Sequence, residues 1–203
     1  MFSFRPVKIS SSVRRATIEW VAIVFALVGL RCGAAPPSGA EPVVATPAPP
    51  NSTPVTFAFD SLDERSVTSA AMRGKPTVIT FVTTDSLAAQ AQVDFLVVMA
   101  KKDAGAVNYV IVAIGSQDTR ELVELYRQAL HVSFFVAMAD GATLAGGGAF
   151  GDVRGVPVTV ILNREGRPIW RADGRVAQSA ELRAVFAKLE RLGRAQLDSP
   201  PIL

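Results

Sequence analysis

The stretch from Gly74 to Met99 constrains this chain more than any other. The β-branched run Thr77-Val78-Ile79-Thr80 follows Gly74-Lys75-Pro76. An apolar run bounded by Gly and Pro reads as a buried strand. Phe81-Val82-Thr83-Thr84-Asp85-Ser86-Leu87-Ala88-Ala89 then ends the strand, turns and opens a helix. Asp85 or Ser86 supplies the N-cap oxygen, because both accept from the orphan N–H groups of a first turn. Leu87, Ala91, Phe95, Val98 and Met99 recur at helical spacing and predict the packed face. A strand end meeting a helix N-terminus is where α/β domains gather their chemistry.

The rest of the chain arranges itself around that unit. Val55, Phe57 and Phe59 alternate with Thr56 and Ala58, which predicts a half-buried strand. Val67 to Met72 reads as a connector. Val107 to Ile114 is a continuous apolar strand of the kind covered on both faces. Asp118-Thr119-Arg120-Glu121 has capping-box spacing for a helix with Leu122, Leu125, Tyr126 and Ala129 on one face. Val132 to Val136 is extended, and Ala139 to Asp152 is a Gly-rich loop. Val158 to Leu162 and Arg167 to Arg171 form a hairpin about Asn163-Arg164-Glu165-Gly166. A last helix carries Leu182, Val185, Phe186, Leu189 and Leu192 on one face.

This order, a strand followed by βαβα and ββα over residues 55–193, resembles the thioredoxin-like redoxins of the TlpA type. Gly74-Lys75-Pro76, the strand ending in Phe81, the turn and the helix carry the likeness. Gly155-Val156-Pro157 before the final hairpin is its second anchor. The resemblance implies an α/β, thioredoxin-like fold: a central mixed sheet with helices on both faces. It also implies a thiol-disulfide oxidoreductase with Trp-Cys-x-x-Cys in the turn. Here Asp85 stands at the Trp, Ser86 at the first Cys and Ala89 at the second. By the same likeness, Val156 and Pro157 form a cis peptide facing that turn. The Val156 backbone would then offer hydrogen bonds to an extended peptide, as in strand addition. The alternative is a proline that only starts an edge strand.

Composition removes several function classes. Cys32 is the only cysteine and His131 the only histidine among 203 residues. Thiolate chemistry, an intradomain disulfide, a Cys-His pair and a Cys/His zinc site are therefore outside the reach of residues 55–193. No metal and no cofactor is expected. The formal charge is +3, yet residues 55–193 hold 15 Lys or Arg and 15 Asp or Glu. The excess sits in Arg5, Lys8, Arg14, Arg15 and Arg31, so no nucleic-acid partner is expected.

Other motifs weaken on inspection. Ser86 near a helix N-terminus suggests a nucleophile, but a hydroxyl needs a base, and serine forms no mixed disulfide. A capping role fits better. Gly141 to Gly146 has P-loop spacing, but Gly147 and Gly148 replace the required Lys and Ser/Thr, and neither a clear strand before it nor a helix after it is predicted. Asp140 and Asp152 read as turn residues, and His131 as a residue near a helix end.

Residues 1–32 read as an export signal: basic residues, then the apolar run Val21 to Leu30, too short to span a bilayer. Cys32 resembles a bacterial lipoprotein acylation site, although Leu30 and Arg31 stand where small residues are usual. Cleavage after Ala35 or Ala40, or an uncleaved anchor, are the alternatives. Residues 33–54 carry seven prolines and read as a tether; residues 194–203 read as a tail. The expectation is an exported, periplasmic or cell-envelope lipoprotein, held at the membrane through Cys32. Its domain is redox-inactive and binds an extended peptide or envelope protein in a groove lined by Asp85, Ser86, Val156 and Pro157. The rival reading is a TlpA-type oxidoreductase, active through a partner's thiols or non-thiol chemistry. A third is a structural part of an envelope assembly.

Overall fold

A computed structural model describes residues 46–47 and 53–197. The segment read as an export signal, Cys32, most of the segment read as a tether, and residues 198–203 lie outside the described residues. Strands and helices follow in the order β1 (Thr46–Pro47), β2 (Ala58–Ser61), β3 (Val67–Thr68), α1 (Ser69–Met72), β4 (Thr77–Val82) and α2 (Leu87–Asp103). After them come β5 (Asn108–Ala113), a 3-10 turn (Gln117–Thr119), α3 (Arg120–Ala129), β6 (Phe135–Met138) and α4 (Gly141–Leu144). The chain closes with β7 (Val158–Leu162), β8 (Pro168–Ala172) and α5 (Ser179–Leu197).

The eight strands form one mixed sheet in the order β1-β8-β7-β4-β5-β6-β2-β3. β4, β5 and β6 run parallel, and every other pairing is antiparallel. All six residues of β4 are buried, as a central strand covered on both faces requires. One face packs under the long helices. Val78, Val82, Tyr109, Ile111 and Val136 meet Val93, Leu96 and Met99 of α2, Val123 of α3, and Leu182 and Phe186 of α5. The other face carries Ile79, Phe81, Val110 and Val112 beneath Met72 of α1 and a cluster of Phe57, Phe59 and Phe150. The Phe57–Phe150 and Phe81–Phe150 ring centroids are 5.4 and 5.3 Å apart. Buried side chains of this size each contribute about 1.5–3 kcal/mol. The architecture is α/β, a thioredoxin-like mixed sheet with helices on both faces, long on one and short on the other.

Several local expectations need correction. The strand expected from Val55 is β2 and starts at Ala58; Val55 instead donates its N–H to Gly166 O at 3.0 Å. Val67 to Met72 is a strand and a helical turn, with Thr68 Oγ1 accepting from Ala71 N. Asp118 caps nothing. Its carboxylate accepts from Ser116 Oγ at 3.1 Å, and α3 begins after the 3-10 turn. That turn rotates α3, so Leu122, Leu125 and Ala129 face solvent while Val123 is buried and Tyr126 packs inward. α2 is rotated too: Ala89, Gln92, Val93, Leu96 and Met99 are buried, whereas Leu87, Ala91, Phe95 and Val98 are exposed. Only Met99 of the predicted face packs inward. In α5, Leu182 and Phe186 are buried as expected, but Leu192 is exposed.

The β7–β8 hairpin turns as predicted. Asn163 Oδ1 accepts from Glu165 N and Arg167 N, and Gly166 takes φ +80°, a conformation that costs glycine nothing.

Candidate functional site

The site is built where the parallel strands end. β4 runs out at Val82, and four residues later Ser86 takes an extended conformation, φ −90° and ψ 115°. Its Oγ accepts from Ala89 N at 3.2 Å, satisfying one orphan donor of α2. Of the two candidate caps Ser86 is the one used, and Asp85 stays exposed. Ala89 is fully buried, and Leu87 between them is 82% exposed. The turn therefore presents Ser86 and Leu87 outward.

Register brings the second anchor to the same end of the sheet. β4 and β7 are antiparallel, with Phe81 opposite Val158. The residue before Val158 is Pro157, and the Val156–Pro157 peptide is cis. Pro157 is buried, Val156 half-buried and Gly155 exposed. The chain directions that put Val82 at the end of β4 thus put Val156–Pro157 at the start of β7 beside it. Neither the N–H nor the C=O of Val156 takes part in a hydrogen bond among the described residues. Both are the groups an added strand would use.

The segment leading into the cis peptide is folded. Gly141 follows β6 and opens α4, contrary to the sequence reading, with Asp140 Oδ1 accepting from Thr143 N at 2.7 Å. P-loop chemistry still fails, for want of the Lys and hydroxyl side chains. Gly148 lies against α4: a Cβ there would fall 2.9 Å from Thr143 Cα, which no side chain tolerates. Arg171 of β8 holds the next turn. Its guanidinium donates to Phe150 O, to Asp152 O at 2.6 Å and to Asp173 at 2.8 Å. Asp152 is drawn well below the usual carboxylate range, chiefly by the hydrogen bond from Arg154.

The only histidine stands far from the Ser86 turn. α3 begins at the site end of the sheet and runs back, so His131, at φ +54° just beyond it, lies at the opposite end from Ser86. Ser86 consequently lacks the imidazole a hydroxyl nucleophile needs. Among the described residues no group of three or more His, Cys, Asp or Glu could hold a metal ion. A separate open depression of about 440 Å³ lies between β2 and α3, lined by Leu62, Gln117, Asp118, Arg120, Glu121 and Glu124. Arg120 is already engaged there by Asp60 and Ser61 O.

Sequence reasoning missed two residues that shape the site. Gln92, buried one turn beyond Ala89, accepts from Ala177 N; a polar residue on the helical stripe of Ala89, Val93, Leu96 and Met99 was the available signal. Arg171 gave none, since the partners that matter to the loop are its backbone carbonyls, Phe150 O and Asp152 O, 21 and 19 residues away.

No protein-family model matches the chain, and no curated protein sequence does. Solved structures do. A DsbF homologue from Corynebacterium diphtheriae superposes with a TM-score of 0.63 at 15% identity, covering 75% of this chain and 96% of that one. A thiol:disulfide interchange protein of the thioredoxin family from Chlorobium tepidum gives 0.59 at 20% identity, covering 70% and 99%. A secreted Mycobacterium tuberculosis disulfide oxidoreductase homologous to Escherichia coli DsbE gives 0.54 at 19% identity, covering 66% and 96%. These likenesses bear out the thioredoxin-like fold that the residues around Phe81 and Pro157 imply.

Proposed function

We propose that this chain is an exported thioredoxin-like domain that has exchanged thiol chemistry for binding. Its groove between the Ser86–Leu87 turn and Val156–Pro157 takes an extended peptide or a segment of an envelope protein. One observation carries the reading: Val156, beside a cis proline at the end of the sheet where α2 opens, makes no backbone hydrogen bond among the described residues, while Ser86 and Ala89 stand where the resemblance places the two thiols. Without a thiolate there is no attack on a disulfide and no mixed disulfide. Main-chain groups of Val156 and the exposed Leu87 still give an extended partner two hydrogen bonds and one apolar contact. Export is supported by the basic and apolar N-terminal pattern and by similarity to proteins described as secreted. Acylation of Cys32 would add membrane anchoring, since several acyl chains hold where one binds marginally.

Two measurements on the same protein test this. In insulin reduction with dithiothreitol, turnover should stay at background; rates above it would restore the oxidoreductase reading. In capture from envelope extracts, Leu87→Asp should lose partners that the unchanged chain retains. Leu87 is exposed, so the fold is untouched. Equal capture by both proteins would remove the groove from the function.

A further inference from the structure

The outermost strand of the sheet is supplied by the Pro-rich segment itself. Thr46 lies opposite Arg171 and Pro47 opposite Trp170, antiparallel on the free edge of β8. A second attachment follows in the same direction: Val55 donates its N–H to Gly166 O, in the turn that leads into β8. The chain is therefore fastened to one hairpin at two places, running along β8 from its middle toward its start. Proline is tolerated in a sheet only at an edge, and having no N–H it offers nothing for a further strand to pair with. Pro47 thus both occupies the edge and terminates it.

The residue facing Thr46 is not an arbitrary one. Arg171 pairs through its backbone with β1 on one side and with Val160 of β7 on the other. Its side chain grips Phe150 O and Asp152 O in the loop that leads to Val156–Pro157. We propose that Thr46–Pro47 is a strap: the β8 edge is a strand-acceptor surface whose occupant is this chain's own N-terminal segment. Docking there steadies Arg171 and, through it, the loop from Phe150 to Asp152. The segment before the domain is then a mechanical part of the domain and not only a spacer. This holds whether or not the groove takes a peptide.

Amide hydrogen exchange on the full chain tests it, comparing the unchanged protein with Thr46→Pro. The substitution removes the Thr46 N–H from the paired segment, as Pro47 already lacks one. Exchange over residues 168–172 should become about five- to tenfold faster, the scale of one or two lost hydrogen bonds. Residues 148–154 should follow, and β5 at residues 108–113 should not change. Unchanged exchange over 168–172 would overturn the strap. Acceleration confined to 168–172 would overturn its coupling to the loop through Arg171.

Discussion

Gln92 and Ala177 are 85 residues apart in sequence, yet the Ala177 N–H donates to Gln92 Oε1 at 2.5 Å, both residues fully buried. The bond joins the helix that opens at the candidate site to the segment that enters α5. Gln92 Nε2 has no partner among the described residues. The side chain is therefore held for its oxygen. Gln92→Leu would leave a buried N–H without an acceptor, which costs about 1–3 kcal/mol, offset in part by removing the unpaired Nε2. The urea midpoint should fall with an unchanged slope. An unaltered midpoint would mean that Ala177 finds another acceptor.

The faces of α2 show what the sequence carried and what it did not. Two stripes run along this helix, Leu87-Ala91-Phe95-Val98 and Ala89-Val93-Leu96-Met99, both at helical spacing. Periodicity alone does not choose between them, and Gln92 on the inward stripe weighs against the correct one. The rotation is fixed instead by the point where β4 stops and by Ser86 taking the N-cap. The turn at Ser86, the buried strand before it and the proline entering β7 were legible because local chemistry dictates each. β1 was not legible: a two-residue strand in a Pro-rich segment has no pattern, and only the open edge of β8 calls for it.

That rotation gives a direct mutational contrast. Leu96→Ala removes a fully buried side chain and should cost about 2–5 kcal/mol. Leu87→Ala and Val98→Ala, at 82% and 52% exposure, should stay within about 0.5 kcal/mol of the parent. Denaturant unfolding of the three variants side by side decides it; the reverse ranking would restore the face predicted from sequence.

Acid should weaken the fold through its arginine-paired carboxylates. Glu181 accepts two hydrogen bonds from Arg175, at 2.8 and 2.9 Å, and one from Gln178 N. These, Arg175 foremost, hold its carboxyl below the ordinary glutamate value of 4.5. Arg65 likewise lowers Asp63 to about 2, and Arg127 lowers Glu124 to about 2. A carboxylate depressed in the folded state adds stability above its unfolded value and loses it as pH falls through the folded one. The melting temperature should therefore be level above about pH 5 and decline from about pH 4.5 downward. Glu181→Gln should make that decline shallower, and added salt should do the same, because these pairs are partly exposed. A decline of equal steepness in Glu181→Gln would take Glu181 out of the account.

The Ser86 turn carries a last consequence, because Ser86 caps α2 and accepts from the N–H of Ala89 across its first turn. Positions 86 and 89 are three residues apart across the first turn of α2, one half-exposed at the N-cap and the other buried. In Ser86→Cys/Ala89→Cys, prepared with Cys32→Ser, the thiol at position 86 sits at a positive helix end. The dipole there favours the thiolate, while burial keeps the partner at position 89 protonated. Mild oxidant should then close an intramolecular disulfide, seen as loss of both free thiols and of two hydrogens in the intact mass. Losing the serine cap costs about 1 kcal/mol, and the thiolate replaces part of it as an acceptor. The same variant should reduce insulin faster than the parent, since the cis Val156–Pro157 peptide enters β7 at the end of the sheet where β4 leads into the turn. If the variant folds and its thiols refuse to pair, the match of Ser86 and Ala89 to the missing cysteines is wrong. If they pair and insulin is still not reduced, the groove no longer admits an extended disulfide substrate, and its shape has moved on together with its chemistry.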